Sequence, residues 1–253
     1  MKKLIFLLLL LFSAKTNSSL AEPEPFSKGT LFGVFKASYG PIKSQLPPAV
    51  GGICGTAFFI APQSALSAHH VLSPNLFIPN PGYTHVQVWL ANGHDAPLEI
   101  NPEQLEFHPE VDATLVKFKA PVVNDRLVFE LALTLPLSHD SVTLLGFHLG
   151  SGAPKLEWKN GKLALLSLSD LTKDERSGPI ENIIPVTIQA EDIQMHNIVT
   201  FHLAVGARVG MSGGPTLLHG RVIGLNSFGL PANQEVKTES YSVSIFEIQK
   251  HSL

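Results

Sequence analysis

Apolar residues in this chain recur mostly at every second position, in short runs that turn residues separate. The clearest example is the pair of alternating runs 86–90 and 96–100, which flank Asn92-Gly93. An Asn-Gly pair between alternating runs favours a hairpin, because both residues tolerate the positive φ that a tight turn of this kind needs. The period of two predicts extended strands rather than amphipathic helices.

The same pattern continues along the rest of the chain. Residues 122–139 are predicted to connect two halves, residues 170–182 are polar and predicted to form an exposed loop, and residues 246–251 are predicted to form a short closing helix. Many short strands at close intervals predict an all-β sandwich or barrel, and periodicity alone leaves both open. After a turn at Pro62-Gln63, a second apolar stretch reaches residue 68, and a turn at Asn160-Gly161 is predicted to join residues 156–158 to 163–168. Further strands are predicted at residues 55–60, 113–118, 142–147, 183–188, 198–203, 216–218, 222–225 and 240–245.

The N-terminus has the pattern of a secretory signal. Lys2 and Lys3 precede an unbroken apolar run at residues 4–12, which is too short to span a bilayer but suits the core of a signal peptide. Ser19 and Ala21 put small residues at the two positions that a signal peptidase reads. Residues 1–21 are therefore predicted to be a signal peptide, with a buried helix or a membrane anchor as the alternatives. The prediction implies a bacterial exported protein, periplasmic or extracellular, without stable membrane association after signal removal.

Charge and cysteine content narrow the class of protein further. The formal net charge of the chain is −3, and loss of the three lysines in residues 1–21 makes it more negative. This balance argues against nucleic acid or an anionic membrane as the main partner. Cys54 is the only cysteine, so no intramolecular disulfide can form. Its apolar neighbours predict a small buried side chain, with a catalytic thiol or an intermolecular bridge as weaker alternatives.

The segment 210–215 carries the strongest candidate chemistry. It reads Gly-Met-Ser-Gly-Gly-Pro, so that Ser212 stands between glycines that permit a tight turn with an exposed hydroxyl. Backbone N–H groups on such a turn can stabilise the oxyanion of an acyl-transfer intermediate. A serine hydroxyl alone is a poor nucleophile, so the segment predicts catalysis only if a base and an orienting acid accompany it.

Two upstream stretches supply those partners. His70 ends the apolar stretch that follows the predicted strand 55–60, and a histidine can accept a proton from a serine because its pKa lies near the working pH. Asp112 stands just before the predicted strand 113–118. A buried carboxylate there could hold the imidazole of His70 in one tautomer.

The three stretches together resemble the trypsin/chymotrypsin-like serine peptidases. Residues 66–71, Leu-Ser-Ala-His-His-Val, are similar to that family's catalytic histidine block, and this makes His70 the base. Asp112 is similar to the family's aspartate, and Ser212 stands where the family has its nucleophile. The chain order His, Asp, Ser agrees as well.

This resemblance implies a fold and a site. The fold would be all-β, with two six-stranded antiparallel β-barrels at residues 28–125 and 126–253, the active site between them and a short C-terminal helix. The backbone N–H groups of Gly210 and Ser212 would form the oxyanion hole. The family needs neither a cofactor nor a metal, and its substrate is a polypeptide.

Two departures from the family pattern carry information about activation and specificity. Zymogen-type members have an aspartate directly before the nucleophile, whereas this chain has Met211, so activation by that residue's ion pair is not expected. Where trypsin-like members place an acid, this chain has Gly206 next to Ala207, and Asn226 replaces a histidine of glutamate-specific members. Uncharged side chains are therefore expected before the cleaved bond. The substrate backbone is expected to pair with Ser227, Phe228 and Gly229.

The alternatives to this interpretation fit the sequence less well. The segment around Ser212 also satisfies the nucleophile elbow of α/β-hydrolases, but that fold places its acid after the serine and no aspartate follows residue 212. His69 is interpreted as a partly exposed neighbour of the base, and Asp95 and Asp125 as solvated loop residues. The sequence thus predicts an exported serine endopeptidase that acts through an acyl-enzyme. The alternative is a catalytically inactive protein-binding module on the same fold.

Overall fold

The computed structural model describes most of the region after residue 30. The predicted signal peptide and the Asn160-Gly161 turn lie outside the described residues. Within the part of the chain that is described, neither helix has the length and apolar character to cross a membrane. The described residues are 31–39, 50–73, 85–149, 151–159, 162–190, 193–228 and 239–252.

The first lobe is a seven-stranded antiparallel sheet with the strand order β5-β4-β1-β2-β3-β7-β6. Its most buried strand is β1, in which all nine side chains are buried. The short edge strand β6 gives this lobe one strand more than the six predicted, because residues 105–108 fold back antiparallel to β7. The strands are β1 Leu31–Tyr39, β2 Val50–Ala61, β3 Ser64–Ala68, β4 His85–Ala91, β5 Leu98–Ile100, β6 Leu105–His108 and β7 Ala113–Lys117.

Short helical segments connect some of these strands. The helix α1, His69–Leu72, follows β3 directly. Single 3-10 turns span Pro102–Gln104, Pro109–Val111 and Asp125–Leu127. The second of these turns leads into β7, and its end is where Asp112 lies.

The second lobe is a closed six-stranded barrel, as predicted, with the order β11-β12-β15-β14-β13-β8. A separate two-stranded hairpin, β9 with β10, lies between β8 and β11 in the chain. The predicted closing helix is present as α2, Ile245–Ser252. The strands are β8 Ser141–Phe147, β9 Ala153–Lys159, β10 Lys162–Ser169, β11 Lys173–Gln189, β12 Gln194–Leu203, β13 Pro215–Leu218, β14 Arg221–Phe228 and β15 Ser240–Ser244.

The prediction of an exposed loop at residues 170–182 is wrong, because β11 begins at Lys173. The strand pairs with β8 over Lys173–Pro179 and with β12 from Ile180 onward, so the backbone ladders hold it despite its polar side chains. The first seven residues of this strand alternate between exposed and half-buried positions. Within β11, Ile180 is the one fully buried residue. A strand on a barrel surface needs few inward apolar residues, and polarity alone is therefore a poor sign of a loop.

Two apolar clusters form the core. The larger one fills the first lobe and continues into the second, where Val222, Leu225 and Val243 belong to it together with Ile248 of α2. The smaller one fills the second barrel around Phe201. The larger cluster therefore joins the two lobes, and the candidate catalytic residues lie where they meet.

Candidate active site

His70 is the second residue of α1, and its ring faces Asp112. Its Nδ1 lies 2.9 Å from Oδ2 and 3.1 Å from Oδ1 of that carboxylate. The backbone N–H of His70 donates a hydrogen bond to Oδ1 as well, at 3.0 Å. One carboxylate thus fixes both the start of the helix and the ring, and it requires the proton on Nδ1. The Nε2 atom is then free to act as a base.

Asp112 is completely buried at the end of the 3-10 turn Pro109–Val111. Its φ of 44° lies in the left-handed region, which aspartate tolerates better than most residues. Its carbonyl accepts a hydrogen bond from the backbone N–H of His69 at 3.0 Å. The carbonyl of Asp112 therefore accepts a hydrogen bond from His69, and its carboxylate accepts one from His70, the next residue of α1.

The carboxyl of Asp112 is charged although it is buried. Burial by itself raises its pKa, but the charge of His70 and the hydrogen bonds from His70 and Ser227 outweigh that effect. The pKa is held below its ordinary value of 3.8. The group is therefore an ionised hydrogen-bond acceptor at neutral pH, which is the form that orients and stabilises an imidazolium.

Ser227 connects the two lobes at this point. Its hydroxyl donates a hydrogen bond to Oδ2 of Asp112, and its carbonyl accepts one from the hydroxyl of Ser212 at 3.3 Å. Among the described residues, the Ser212 hydroxyl bonds to this carbonyl and not to His70. The structure thus brings Ser212, Asp112 and His70 together through Ser227, a link between residues 115 positions apart that no local sequence pattern predicted.

The turn around Ser212 is held by backbone hydrogen bonds. Met211 N–H donates to the Arg208 carbonyl at 3.1 Å, and Gly213 N–H donates to the Asn226 carbonyl at 2.7 Å. Gly210 has a φ of 100°, and a Cβ at this position would collide with the backbone of Phe147 and Leu149. Only glycine is therefore compatible with this position.

Two backbone N–H groups in the turn around Ser212 make no hydrogen bond within the described residues. The N–H groups of Gly210 and Ser212 have no acceptor among the described residues, whereas those of Met211, Gly213 and Gly214 do. These two groups are the pair that the sequence predicted as an oxyanion hole. Unused N–H donors beside a serine hydroxyl are available to an oxygen that gains negative charge on a bound substrate.

The predicted specificity residues lie in two segments beside the turn. Gly206 and Ala207 follow β12, and Ala207 is buried while Gly206 is half-buried. Asn226 is buried on β14, and its Oδ1 atom has no hydrogen-bond partner among the described residues. Phe228, at the end of β14, is half-buried and stacks on Tyr241 with 4.8 Å between ring centroids. The predicted Gly229 lies outside the described residues.

His69 differs from its prediction. It is buried, not partly exposed, and its Nδ1 lies 3.3 Å from the hydroxyl of Thr114. Its ring packs edge-on against Phe107, with 5.1 Å between centroids. The helical turn rotates the two neighbouring histidines to different sides, so His69 enters the first lobe while His70 faces Asp112.

The other candidate residues take no part in this arrangement. Cys54 donates a weak hydrogen bond from Sγ to the Val34 carbonyl at 3.2 Å, and burial raises the pKa of its thiol to about 11. Little thiolate is present at neutral pH, which argues against a catalytic thiol. Asp95 accepts a hydrogen bond from Asn92 within the β4–β5 connection, and Asp125 is exposed. Within the described residues, no group of three His, Cys, Asp or Glu side chains is placed to hold a metal ion.

The chain is similar to solved protease structures, although no family model and no curated protein matches it. The Rv3671c protease of M. tuberculosis in its inactive form is similar, with a TM-score of 0.51 and 17% identity over 87% of this chain and 86% of that one. The HtrA-type protease AlgW with a decapeptide gives a TM-score of 0.58 and 12% identity, covering 88% of this chain and 63% of that one.

A third solved structure is the MamO protease domain from Magnetospirillum magneticum. Its TM-score is 0.54 and its identity 15%, over 87% of this chain and 96% of that one. Sequence identities this low establish similarity of fold alone. The chain has the trypsin-like serine protease fold that the sequence predicted.

The lowered pKa of Asp112 predicts how stability depends on pH. Because the unfolded chain binds the extra proton first as the pH falls, the stability that ionised Asp112 contributes is complete well above the ordinary pKa of 3.8 and is lost as the pH falls through the lowered pKa. Asp112→Asn removes this contribution. We expect the difference in free energy of unfolding between wild type and variant, measured by urea denaturation, to shrink as the pH falls from about 5 through the lowered pKa of Asp112. A constant difference over that range would contradict an ionised, paired Asp112.

Proposed function

We propose that this chain, which has the trypsin-like serine protease fold, is a serine endopeptidase that cleaves polypeptides with Ser212, His70 and Asp112. The observation that carries the proposal is the buried Asp112 carboxylate. It is bonded to the ring of His70 on one side and to Ser227 on the other, and Ser227 in turn accepts a hydrogen bond from Ser212. Burying the charge of Asp112 between His70 and Ser227 costs free energy of folding. A catalytic role explains why the protein retains such a charge.

The reaction follows from the proton positions. The hydroxyl of Ser212 attacks the scissile carbonyl while Nε2 of His70 takes its proton, and Asp112 stabilises the resulting imidazolium through Nδ1–H. The imidazolium then protonates the leaving amine, which departs and leaves an acyl-enzyme. Water attacks the acyl carbon with the same base, and the acid product leaves with Ser212 restored.

The Ser227 carbonyl is proposed to have a second role when substrate binds. In the structure without substrate it accepts the hydroxyl of Ser212 at 3.3 Å. An extended substrate that pairs with Ser227, Phe228 and Gly229 would offer its own N–H to this carbonyl. The hydroxyl of Ser212 would then be free to turn toward His70, since catalytic hydrogen bonds often tighten only in the complex.

The oxyanion hole is proposed to consist of the N–H groups of Gly210 and Ser212. Their lack of an acceptor among the described residues supports this assignment. Charge that develops on the substrate oxygen would meet two donors already fixed in place. Such donors lower the barrier because they need no reorganisation at the moment of reaction.

The residue before the cleaved bond is proposed to be uncharged. The segment that leads to the nucleophile turn, with Gly206 and Ala207, offers no carboxylate to a lysine or arginine. Asn226, whose backbone bonds to Gly213 and Gly214 beside the nucleophile, contributes a neutral amide that is 2% exposed. Its Oδ1 lacks a partner among the described residues, which favours a substrate side chain that can donate a hydrogen bond.

Export is proposed from the N-terminal pattern of Lys2, Lys3 and the apolar run 4–12. The substrate would then be a polypeptide outside the cytoplasm. Export would separate the peptidase from newly made proteins in the cytoplasm. This separation would matter because Met211, in place of an aspartate, cannot form the ion pair that controls activation in zymogen-type members of the family.

The role of Ser212 is tested by Ser212→Ala. We expect turnover of casein and peptide substrates to fall by about a millionfold, because the triad acts as a unit. A sulfonyl fluoride should label the wild type at Ser212 and leave the variant unlabelled, as peptide mass spectrometry would show. Equal behaviour of wild type and variant in both assays would reject the peptidase and favour the inactive binding module.

The specificity proposal is tested by Asn226→Asp, which adds a negative charge at nearly unchanged shape. We expect the ratio of kcat/KM for lysine over leucine before the cleaved bond to rise by about tenfold or more, because the new carboxylate pairs with the cation. Asn182→Asp is the matched control, since Asn182 is exposed on β11 and adds the same charge outside the barrel. An unchanged cleavage profile in Asn226→Asp would remove this residue from the specificity site.

The signal peptide is tested by N-terminal sequencing of the protein recovered from the periplasm or medium of a bacterial host. The mature chain should begin at Glu22. Leu8→Arg interrupts the apolar run and should leave an uncleaved protein in the cytoplasm. Export of this variant with the same processing would contradict the assignment.

A further inference from the structure

We infer that Thr56 is a positioning residue, which holds the oxyanion-hole turn of the second lobe from β2 of the first lobe. The inference rests on the proposed function and adds a residue that the sequence did not single out. Thr56 is fully buried. Its hydroxyl contacts the carbonyl of Gly210, which lies 154 positions further along the chain. The local sequence therefore gives no sign of the contact.

Every polar atom of Thr56 is engaged at the junction of the lobes. Its hydroxyl donates to the Gly210 carbonyl at 2.9 Å and accepts the Phe147 N–H at 2.9 Å. Its backbone N–H donates to the Ser212 carbonyl at 2.8 Å. Its own carbonyl accepts the hydroxyl of Ser67 at 2.7 Å, which fixes β2 itself. One residue thus binds the carbonyls on either side of Met211.

The peptide planes explain why these contacts matter for catalysis. In a trans peptide the carbonyl and the N–H point in opposite directions, so a held carbonyl sets the direction of the N–H. The Gly210 N–H is set by the Val209 carbonyl, which accepts the Leu149 N–H at 2.8 Å. The Ser212 N–H is set by the Met211 carbonyl, which accepts the Gly214 N–H at 3.0 Å.

Thr56 controls the peptide between these two. The Gly210–Met211 peptide joins the two donors of the hole, and its carbonyl is the one that the Thr56 hydroxyl holds. The Met211 N–H of this peptide donates to the Arg208 carbonyl at 3.1 Å, and the Thr56 hydroxyl holds its other end. Gly210 has a φ of 100° and no side chain, so the residue itself adds little restraint. Fixing this peptide sets the angle between the two N–H groups, and both must point at one oxygen to stabilise it.

Met211 makes this anchor necessary. Its side chain is fully buried and carries no charge, so residue 211 cannot fix the turn through an ion pair. Its sulfur accepts the Arg208 N–H at 3.2 Å, a bond within the same turn. The anchoring is instead done from the other lobe, by a neutral hydroxyl that depends on correct docking of β2.

The inference is tested with Thr56→Val, Thr56→Ala and Thr56→Ser. Valine keeps the shape of threonine and lacks the hydroxyl, whereas serine keeps the hydroxyl. We expect kcat to fall by about ten- to a hundredfold in the valine and alanine variants, less than the loss of a direct donor, while KM stays within about threefold. The serine variant should stay close to wild type. The inhibition constant of a peptidyl trifluoromethyl ketone, whose oxyanion occupies the hole, should weaken in parallel with kcat/KM.

A matched control separates this role from stability. Thr200→Val removes another fully buried threonine hydroxyl, which donates to the Ile184 carbonyl at 3.1 Å within the second barrel. It should lower the midpoint of urea unfolding about as much as Thr56→Val but leave kcat unchanged. If Thr200→Val lowers kcat equally, the effect of Thr56 is one of stability, and the inference is overturned.

The remaining outcomes also decide the question. Wild-type kcat in the valine and alanine variants, or a serine variant as impaired as valine, would overturn the role of the hydroxyl. Failure of both hydroxyl-free variants to fold would assign Thr56 to folding instead. An inert wild type would reject the proposed function itself, and with it this inference.

Discussion

The rest of the site depends on one constraint: the carboxylate of Asp112 is ionised although it is completely buried. An unpaired charge in such a position costs several kcal/mol, about the whole margin of stability of a small domain. The cost is offset by three groups together, the ring and backbone N–H of His70 and the hydroxyl of Ser227. Two of these donors belong to the first lobe and one to the second, so the charge is fully compensated only when the lobes are docked.

Close approach of backbones is the second constraint. Gly146 packs so near to Met211 that a Cβ would lie 2.6 Å from its Cα, and a Cβ on Gly213 would meet the carbonyl of Thr56. The glycines of the segment 210–215 therefore serve packing as well as backbone conformation. The sequence showed these glycines but could not show their reason, because the contacting backbones come from β2 and β8, far away in the chain.

Sequence and structure agree where local pattern decides and differ where long-range pairing decides. Alternating apolar residues predicted most strands of both lobes, and the predicted closing helix is present as α2. The first part of β11, up to residue 182, was predicted as a loop because its side chains are polar, although backbone ladders with β8 and β12 hold it. The later part, at residues 183–188, was predicted as a strand. His69 was predicted as partly exposed because sequence adjacency to His70 does not show that a helical turn points the two rings apart.

The candidate site was likewise predicted where local motifs identify residues, and not where its residues meet through long-range contacts. His70, Asp112 and Ser212 came from motifs in which each residue type carries its own chemistry. Ser227 was predicted to pair with the substrate backbone, but its bond to Asp112 needed three-dimensional contacts. Thr56 was not predicted at all, since its bond to Gly210 joins distant parts of the chain.

These two residues form a reciprocal pair across the cleft. Ser227 carries a hydroxyl from the second lobe to the acid of the first, and Thr56 carries one from the first lobe to the nucleophile turn of the second. Each lobe thus supplies a hydroxyl to the part of the candidate site that the other lobe holds. Without the second lobe, Asp112 would lack the Ser227 hydroxyl, and without the first lobe, the turn around Ser212 would lack the Thr56 hydroxyl. The proposed catalysis therefore depends on the docked pair of lobes, and the proposal gives residue 211 no charged role.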